Sequence, residues 1–170
     1  DLHLLSRRLR QMCIRDRSTG ADSIPYITIM QVNKVLTKEP VFVEDNDAKD
    51  YGTDPIEISG QSISKAHLNL RYTFLNGGNH LIPHSISLLI AKDAQPDARG
   101  YLSAELRHDA ADDLQLNANS GYVSFTLENM PGFKEGTLKG FKIKTKTIKN
   151  ETDIVEVTMN NNRKSMNFNI

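Results

Sequence analysis

The 170 residues carry 21 Lys+Arg against 21 Asp+Glu, one cysteine, no tryptophan and only 6% aromatics. That length suits one self-sufficient core and is short for two ordinary domains. No apolar run approaches the roughly 18 residues that cross a bilayer as a helix, so no membrane insertion is expected in the visible part.

The first stretch, residues 1–17 (DLHLLSRRLRQMCIRDR), is set apart by its arginines. An Arg-rich, partly apolar start ordinarily suggests a transit peptide or a nucleic-acid arm. Here the DNA word ATG TGT ATA AGA GAC AG, the mosaic end of transposase-based sequencing libraries, translates in frame into Met12-Cys13-Ile14-Arg15-Asp16 and the start of the next codon. The upstream adapter word CGT CGG CAG CGT CAG accounts for Arg7, Arg8, Arg10 and Gln11, with one base change giving Leu9, and GAT CTA CAC gives Asp1-Leu2-His3. Residues 1–17 are therefore read as an unstructured, non-native leader, and 18–170 as a single domain whose natural N-terminus is missing. Leaving out that leader removes five Arg, two Asp and the sole cysteine, Cys13; 16 basic residues then stand against 19 acidic, a net of −3. A mildly acidic domain is a poor match to sequence-independent nucleic-acid binding, which rests on neutralising phosphates. Without cysteine the domain has no disulfide, thiolate nucleophile or cysteine-based metal site.

From Ile24 onward the apolar residues recur with period two. Leu68, Leu70, Tyr72 and Phe74 alternate with polar residues, as do Ile86, Leu88 and Ile90, then Val123, Phe125 and Leu127. Val155, Val157 and Met159 follow, and finally Met166, Phe168 and Ile170. Successive side chains of a strand point to opposite faces, so each segment offers one dry face and one wet face. Turn chemistry is expected at Asn76–Asn79, Pro96–Gly100, Asn119–Gly121, Pro131-Gly132 and Asn160–Asn162. The expected fold is all-β: an antiparallel β-sandwich of immunoglobulin-like, Greek-key or jelly-roll type, with nine or ten short strands and little or no helix. Helical turns are entertained only at Asp45–Tyr51 and His108–Leu114.

Several segments carry chemistry. In the acidic loop 44–54, Asp45, Asp47, Asp50 and Asp54 supply the hard oxygen donors that Ca²⁺ prefers. Lys49 breaks the EF-hand spacing, and a solvated acidic loop is the simpler expectation. A second acidic patch holds Asp109, Asp112 and Asp113. His80 and His84 flank Pro83, which denies them a shared helical face; they are expected to be surface histidines, a zinc site needing a further ligand such as His67 or His108. No nucleophile elbow, phosphate loop or zinc-protease helix is present. Tyr51, Tyr101 and Tyr122 are scattered, a weak basis for stacking on sugars. Lys142, Lys144 and Lys146 alternate with Phe141, Ile143 and Thr145, placing three ammonium groups on one strand face. Such a row suits an anionic partner, and it also protects an exposed strand from edge pairing.

These alternating strands, Gly/Asn turns and absence of cysteine resemble, in style and without a diagnostic motif, immunoglobulin-like or fibronectin-like modules of bacterial surface proteins and phage tails. The resemblance implies a non-catalytic structural or interaction module of a secreted, cell-surface or virion protein, with a protein partner or self-association through strand edges. The alternatives are a glycan- or protein-binding module using loop 44–54, with or without calcium, and an all-β hydrolase.

Overall fold

A computed structural model describes the backbone of residues 9–19, 25–44, 47–64, 66–79 and 81–159, with side chains from Lys34 onward apart from Asp47 and Lys49. It divides into two units, Asp1–Leu36 and Thr37–Ile170. In the first, β1 (Leu9–Thr19) pairs antiparallel with β2 (Pro25–Lys34) across three register shifts. Strand β1 thus starts inside residues 1–17, the stretch expected to be an unstructured leader.

The second unit is a two-sheet sandwich, as the period-two pattern requires. Its strands are β3 (Leu36–Lys38), β4 (Val41–Val43), β5 (Ile56–Ser64), β6 (His67–Asn76), β7 (Ser85–Ala91), β8 (Tyr101–Asp109), β9 (Asn117–Thr126), β10 (Gly140–Lys146) and β11 (Thr152–Thr158). A five-stranded sheet runs β11-β10-β8-β7-β4, and a four-stranded sheet runs β3-β9-β6-β5. Most described pairs are antiparallel, but β4 with β7 and β8 with β10 are parallel. Chain order explains both. Between β8 and β10 the chain crosses to the other sheet as β9 and returns, reversing twice; between β4 and β7 it visits the hairpin β5–β6.

The inner faces are those the alternation assigns. Leu68, Leu70 and Tyr72 of β6 and Val123 and Phe125 of β9 face Ile86, Leu88 and Ile90 of β7, Leu102 and Leu106 of β8, and Phe141 and Ile143 of β10 in one core. Phe125 and Phe141 have no exposed surface; burying a side chain of that kind contributes about 1.5–3 kcal/mol. Buried Thr145 joins the sheets by donating its hydroxyl to the Ile56 carbonyl at 2.5 Å. The long connection 127–139 closes one end of the sandwich with Met130 and Leu138. The connections 52–55, 77–84 and 110–116 gather at the opposite end, held by Asp54 N–H donating to the His108 carbonyl and Leu116 N–H donating to the Asn76 carbonyl.

Two local expectations change. Asn119–Gly121 is not a turn but lies within β9, because Gly121 leaves room for the Tyr72 ring opposite it; a Cβ there would fall on the Tyr72 hydroxyl and within 2.6 Å of its Cζ. His108–Leu114 holds no helical turn: His108 and Asp109 finish β8, and a tight turn follows in which Asp113 N–H donates to the Ala110 carbonyl. The other helical candidate is a 3-10 helix, Asp47–Tyr51, lying against β7 and β8. The strand expected at Met166–Ile170 and the turn at Asn160–Asn162 lie outside the described residues.

Gly121→Ala should cost about 1–3 kcal/mol in a denaturant titration, the range for overpacking a filled core. In a cycle with Tyr72→Leu, the double variant should lose less than the two single losses added together. Simple additivity would show that the glycine is not there for the tyrosine.

Candidate interaction surface

With Phe141, Ile143 and Thr145 turned inward, Lys142, Lys144 and Lys146 project from the outer face of the five-stranded sheet. The register sets Lys144 between Glu105 of β8 and Ile154 of β11, and Lys142 between Ser103 and Glu156. The lysine row predicted from sequence therefore exists, but it is not a bare cationic stripe. Lys142 Nζ lies 2.7 Å from Asp97 Oδ2, and Lys144 Nζ lies 3.6 Å from Glu105 Oε1. Lys146 donates to the Thr53 carbonyl at 3.0 Å. Arg107 Nε sits 3.1 Å from the same Glu105 oxygen, outside hydrogen-bond geometry, while its Nη1 donates to the Gly52 carbonyl at 3.2 Å. Arg99 with Glu156 at 2.8 Å and Lys92 with Glu44 at 2.7 Å complete the mosaic.

Electrostatics follow these pairs. The Lys142 ammonium, then the Tyr101 and Arg99 backbone amides, hold the Asp97 carboxyl down at about 2. Lys92 lowers Glu44, and Glu156 raises Arg99. Exposed pairs of this kind, screened by solvent, contribute little to stability. Their consequence lies in the potential the face presents, which is mixed rather than strongly positive.

Beside the charged rows the face turns apolar. Val43, Leu89, Ala91 and Ala48 line one side of a groove of about 460 Å³ and Ile154 the other, with Glu105 and Arg107 of β8 and Lys142 and Lys144 of β10 standing between them. Leu89 is only 3% exposed although it points away from the core, because the 3-10 helix lies over β7. Ile154, 61% exposed, stands out from β11.

Asp45 lies outside the described residues, Asp47 opens the 3-10 helix and Asp50 is exposed. Asp54 is taken up by the next turn, its carboxylate accepting from Ala110 N–H at 2.8 Å and from Gln115 Nε2 at 3.1 Å. Among the described residues no three His, Cys, Asp or Glu side chains cluster to hold a metal. Tyr101 belongs to the five-stranded sheet and Tyr122 to the four-stranded one, where Arg71 lies 6.0 Å from its ring centroid; the two do not form one stacking platform.

A second polar cluster was not legible as a unit. His84, expected as a surface histidine, has a side chain only 12% exposed. Its Nδ1 lies 2.9 Å from Nε2 of His108, its Nε2 lies 3.1 Å from Oδ2 of Asp113, and His108 Nδ1 lies 3.1 Å from the Pro55 carbonyl. Phe74 stands edge-on to both imidazoles. Asp113 also accepts from Gly77 N–H and Leu114 N–H, each at 2.8 Å. Gly77 is required there, since a Cβ would come within 2.6 Å of Asp113 Oδ1. The one available signal was parity: His108 follows Leu102, Ala104 and Leu106 on the inward side of β8. His80, the other half of the proposed zinc pair, lies outside the described residues.

A family model, the NigD-like C-terminal beta sandwich domain, matches residues 39–159. The chain belongs to this family. The match covers the strands from β4 through β11 and so contains the whole outer face described above. Among solved structures, a toxin-related protein from Parabacteroides distasonis is 27% identical, with 85% of this chain and 71% of that one covered at a TM-score of 0.62. A NigD-like immunity protein from Bacteroides caccae is 17% identical, covering 85% and 68% at a TM-score of 0.60. A protein of unknown function from Bacteroides vulgatus is 18% identical, covering 87% and 68% at 0.65. A search of curated proteins finds no match.

In this NigD-like domain, Lys142→Met should let the Asp97 carboxyl climb from about 2 toward the ordinary aspartate range, followed by a carboxyl-carbon NMR titration. An unmoved titration would assign the depression to the backbone amides alone.

Proposed function

We propose that this NigD-like domain is a non-catalytic protein-recognition module, and that the outer face of the five-stranded sheet is its docking surface. The observation that carries the reading is the composition of that face: a groove with Val43, Leu89 and Ala91 on one side and exposed Ile154 on the other, crossed by ion pairs of both signs. Protein interfaces combine apolar anchors with polar and charged groups whose complementarity sets register and excludes wrong partners. A sulfated glycan would need cations not already matched by Asp97 and Glu105. The names of the similar structures, an immunity protein and a toxin-related protein, support a protein as the ligand. A lipoprotein from Bacteroides fragilis with the same sandwich, 11% identical at a TM-score of 0.57, supports a place at the cell envelope.

The test is affinity capture from cells carrying the gene, comparing cell-envelope and supernatant fractions with cytosol. The baits are the wild type, an Ile154→Asp/Ser103→Arg variant of the outer face, and a Ser120→Arg variant of the opposite sheet. A protein from the envelope or supernatant should bind the wild type and Ser120→Arg equally and the outer-face variant about tenfold or more weaker, the size of a central contact. Equal binding by all three, or equal loss in both variants, would remove the docking surface; a partner confined to the cytosol would remove the envelope placement.

A further inference from the structure

The row of contacts at the loop end of the sandwich has a proton count built into it. The Pro55 carbonyl and an ionised Asp113 carboxylate, at its two ends, only accept hydrogen bonds. Between them stand four ring nitrogens, two on His108 and two on His84, making three contacts at 3.1, 2.9 and 3.1 Å. Each contact needs one proton. Three protons on two imidazoles is one more than two neutral rings hold, so the closed row carries a single positive charge, balanced by Asp113. With two protons, one contact sets lone pair against lone pair. With four, an N–H meets an N–H across 2.9 Å.

That row is also the fastening of two connections. His84 ends the 77–84 connection, Asp113 sits in the 110–116 connection, and Asp113 binds both His84 and the Gly77 amide. These segments carry Leu81, Leu114 and Leu116, exposed to 90%, 64% and 69%. The turn presenting Asp113 is itself strained, with Ala111 at φ 50° and Asp112 at φ 62°; non-glycine residues persist there only where the surroundings enforce them.

We propose that the His84–His108–Asp113 row is a pH-sensitive latch: near neutral pH it fastens the 77–84 and 110–116 connections together, and uptake of a second charge by the histidine pair in mild acid opens it, loosening the leucine-bearing loops. The latch is separate from the outer-face docking surface and does not depend on it. The charged groups facing the pair are Asp54 from the chain ahead of β5, Asp109 from the end of β8, and Asp113; β6 contributes the Phe74 ring. Burial is the largest influence on His108 and pulls its imidazole below the ordinary range, with the His84 charge acting in the same direction and the Pro55 carbonyl, Asp54 and Asp109 opposing. A depressed histidine means that the unfolded chain binds more protons than the folded one. Its stabilisation is therefore present above about pH 6.5 and is lost as pH falls below that. Asp113 is also lowered, chiefly by the Gly77 amide, so its own loss comes only in the carboxylate range, about pH 4 and below.

The experiment is amide hydrogen exchange on the whole chain at about pH 7.5 and about pH 5, expressed as protection factors. Gly77 and Leu114, whose amides bind Asp113, should lose protection by about tenfold or more in acid while the amides of β8 and β9 hold theirs. In His84→Gln, whose side-chain oxygen can accept from a charged His108 while its amide nitrogen still donates to Asp113, the conflict is removed and the acid loss at these amides should shrink to about twofold or less. Ring-nitrogen NMR of the wild type gives an independent reading that needs no variant: three ring-bound protons on the pair at neutral pH, four in acid. No acid loss in the wild type, an equal loss in His84→Gln, or two ring-bound protons at neutral pH would overturn the latch. So would stabilisation of the wild type by added zinc at neutral pH that is absent in His84→Gln, since the row would then be a metal site.

Discussion

Face-to-face burial of two sheets is the constraint on which the rest of this molecule depends. Residues 18–170 contain no cysteine, so no disulfide limits the unfolded chain, and cohesion falls to the alternating side chains of nine strands. Phe125, Phe141, Leu68, Leu88 and Ile143 have no exposed surface. Because the pleat sends every second residue outward, filling the core leaves two faces whose composition packing does not dictate. On the five-stranded sheet that freedom produces the charged mosaic and the apolar groove. Ile154 is the residue that packing explains least: it projects from β11, 61% exposed, opposite Lys144.

The loop end obeys a different economy. Backbone groups there have no ladder to join, so aspartates take the place of strands. Asp54 receives the Ala110 amide, Asp113 receives those of Gly77 and Leu114, and Asp109 receives that of Ala111 at 2.9 Å. These bonds enforce the positive φ angles of Ala111 and Asp112 and deliver Asp113 to His84. Asp54 and Asp113 are thus fastenings of the connections.

Much of the sandwich was legible because alternation is a local signal with a single geometric cause. The cores of β6, β7, β9 and β11 follow directly from the period-two residues, and the lysines of β10 emerge on the outer face by the same parity. Two things were not legible, for physical reasons. Parallel pairing of β8 with β10 and of β4 with β7 depends on which sheet the chain visits in between, and parity within a strand carries no information about that. Gly121 looks like a turn residue until its neighbour across the sheet, Tyr72, is known. The His84–His108–Asp113 row joins residues 24 and 29 positions apart, so each looks ordinary in its own segment; only the inward parity of His108 hinted at burial. The lysine partners were hidden in the same way, since Asp97 and Glu105 lie on other elements. Family membership rested on no local motif at all.

Recognition is assigned to the outer face of the five-stranded sheet. It is tested most directly by footprinting the complex with the captured partner, comparing hydrogen exchange and side-chain labelling in the free and bound domain. Protection is expected on β7, β8, β10, β11 and the 3-10 helix, centred near Ile154 and Ser103. Protection centred instead on β5, β6 and β9, around Arg71 and Tyr122, would contradict it.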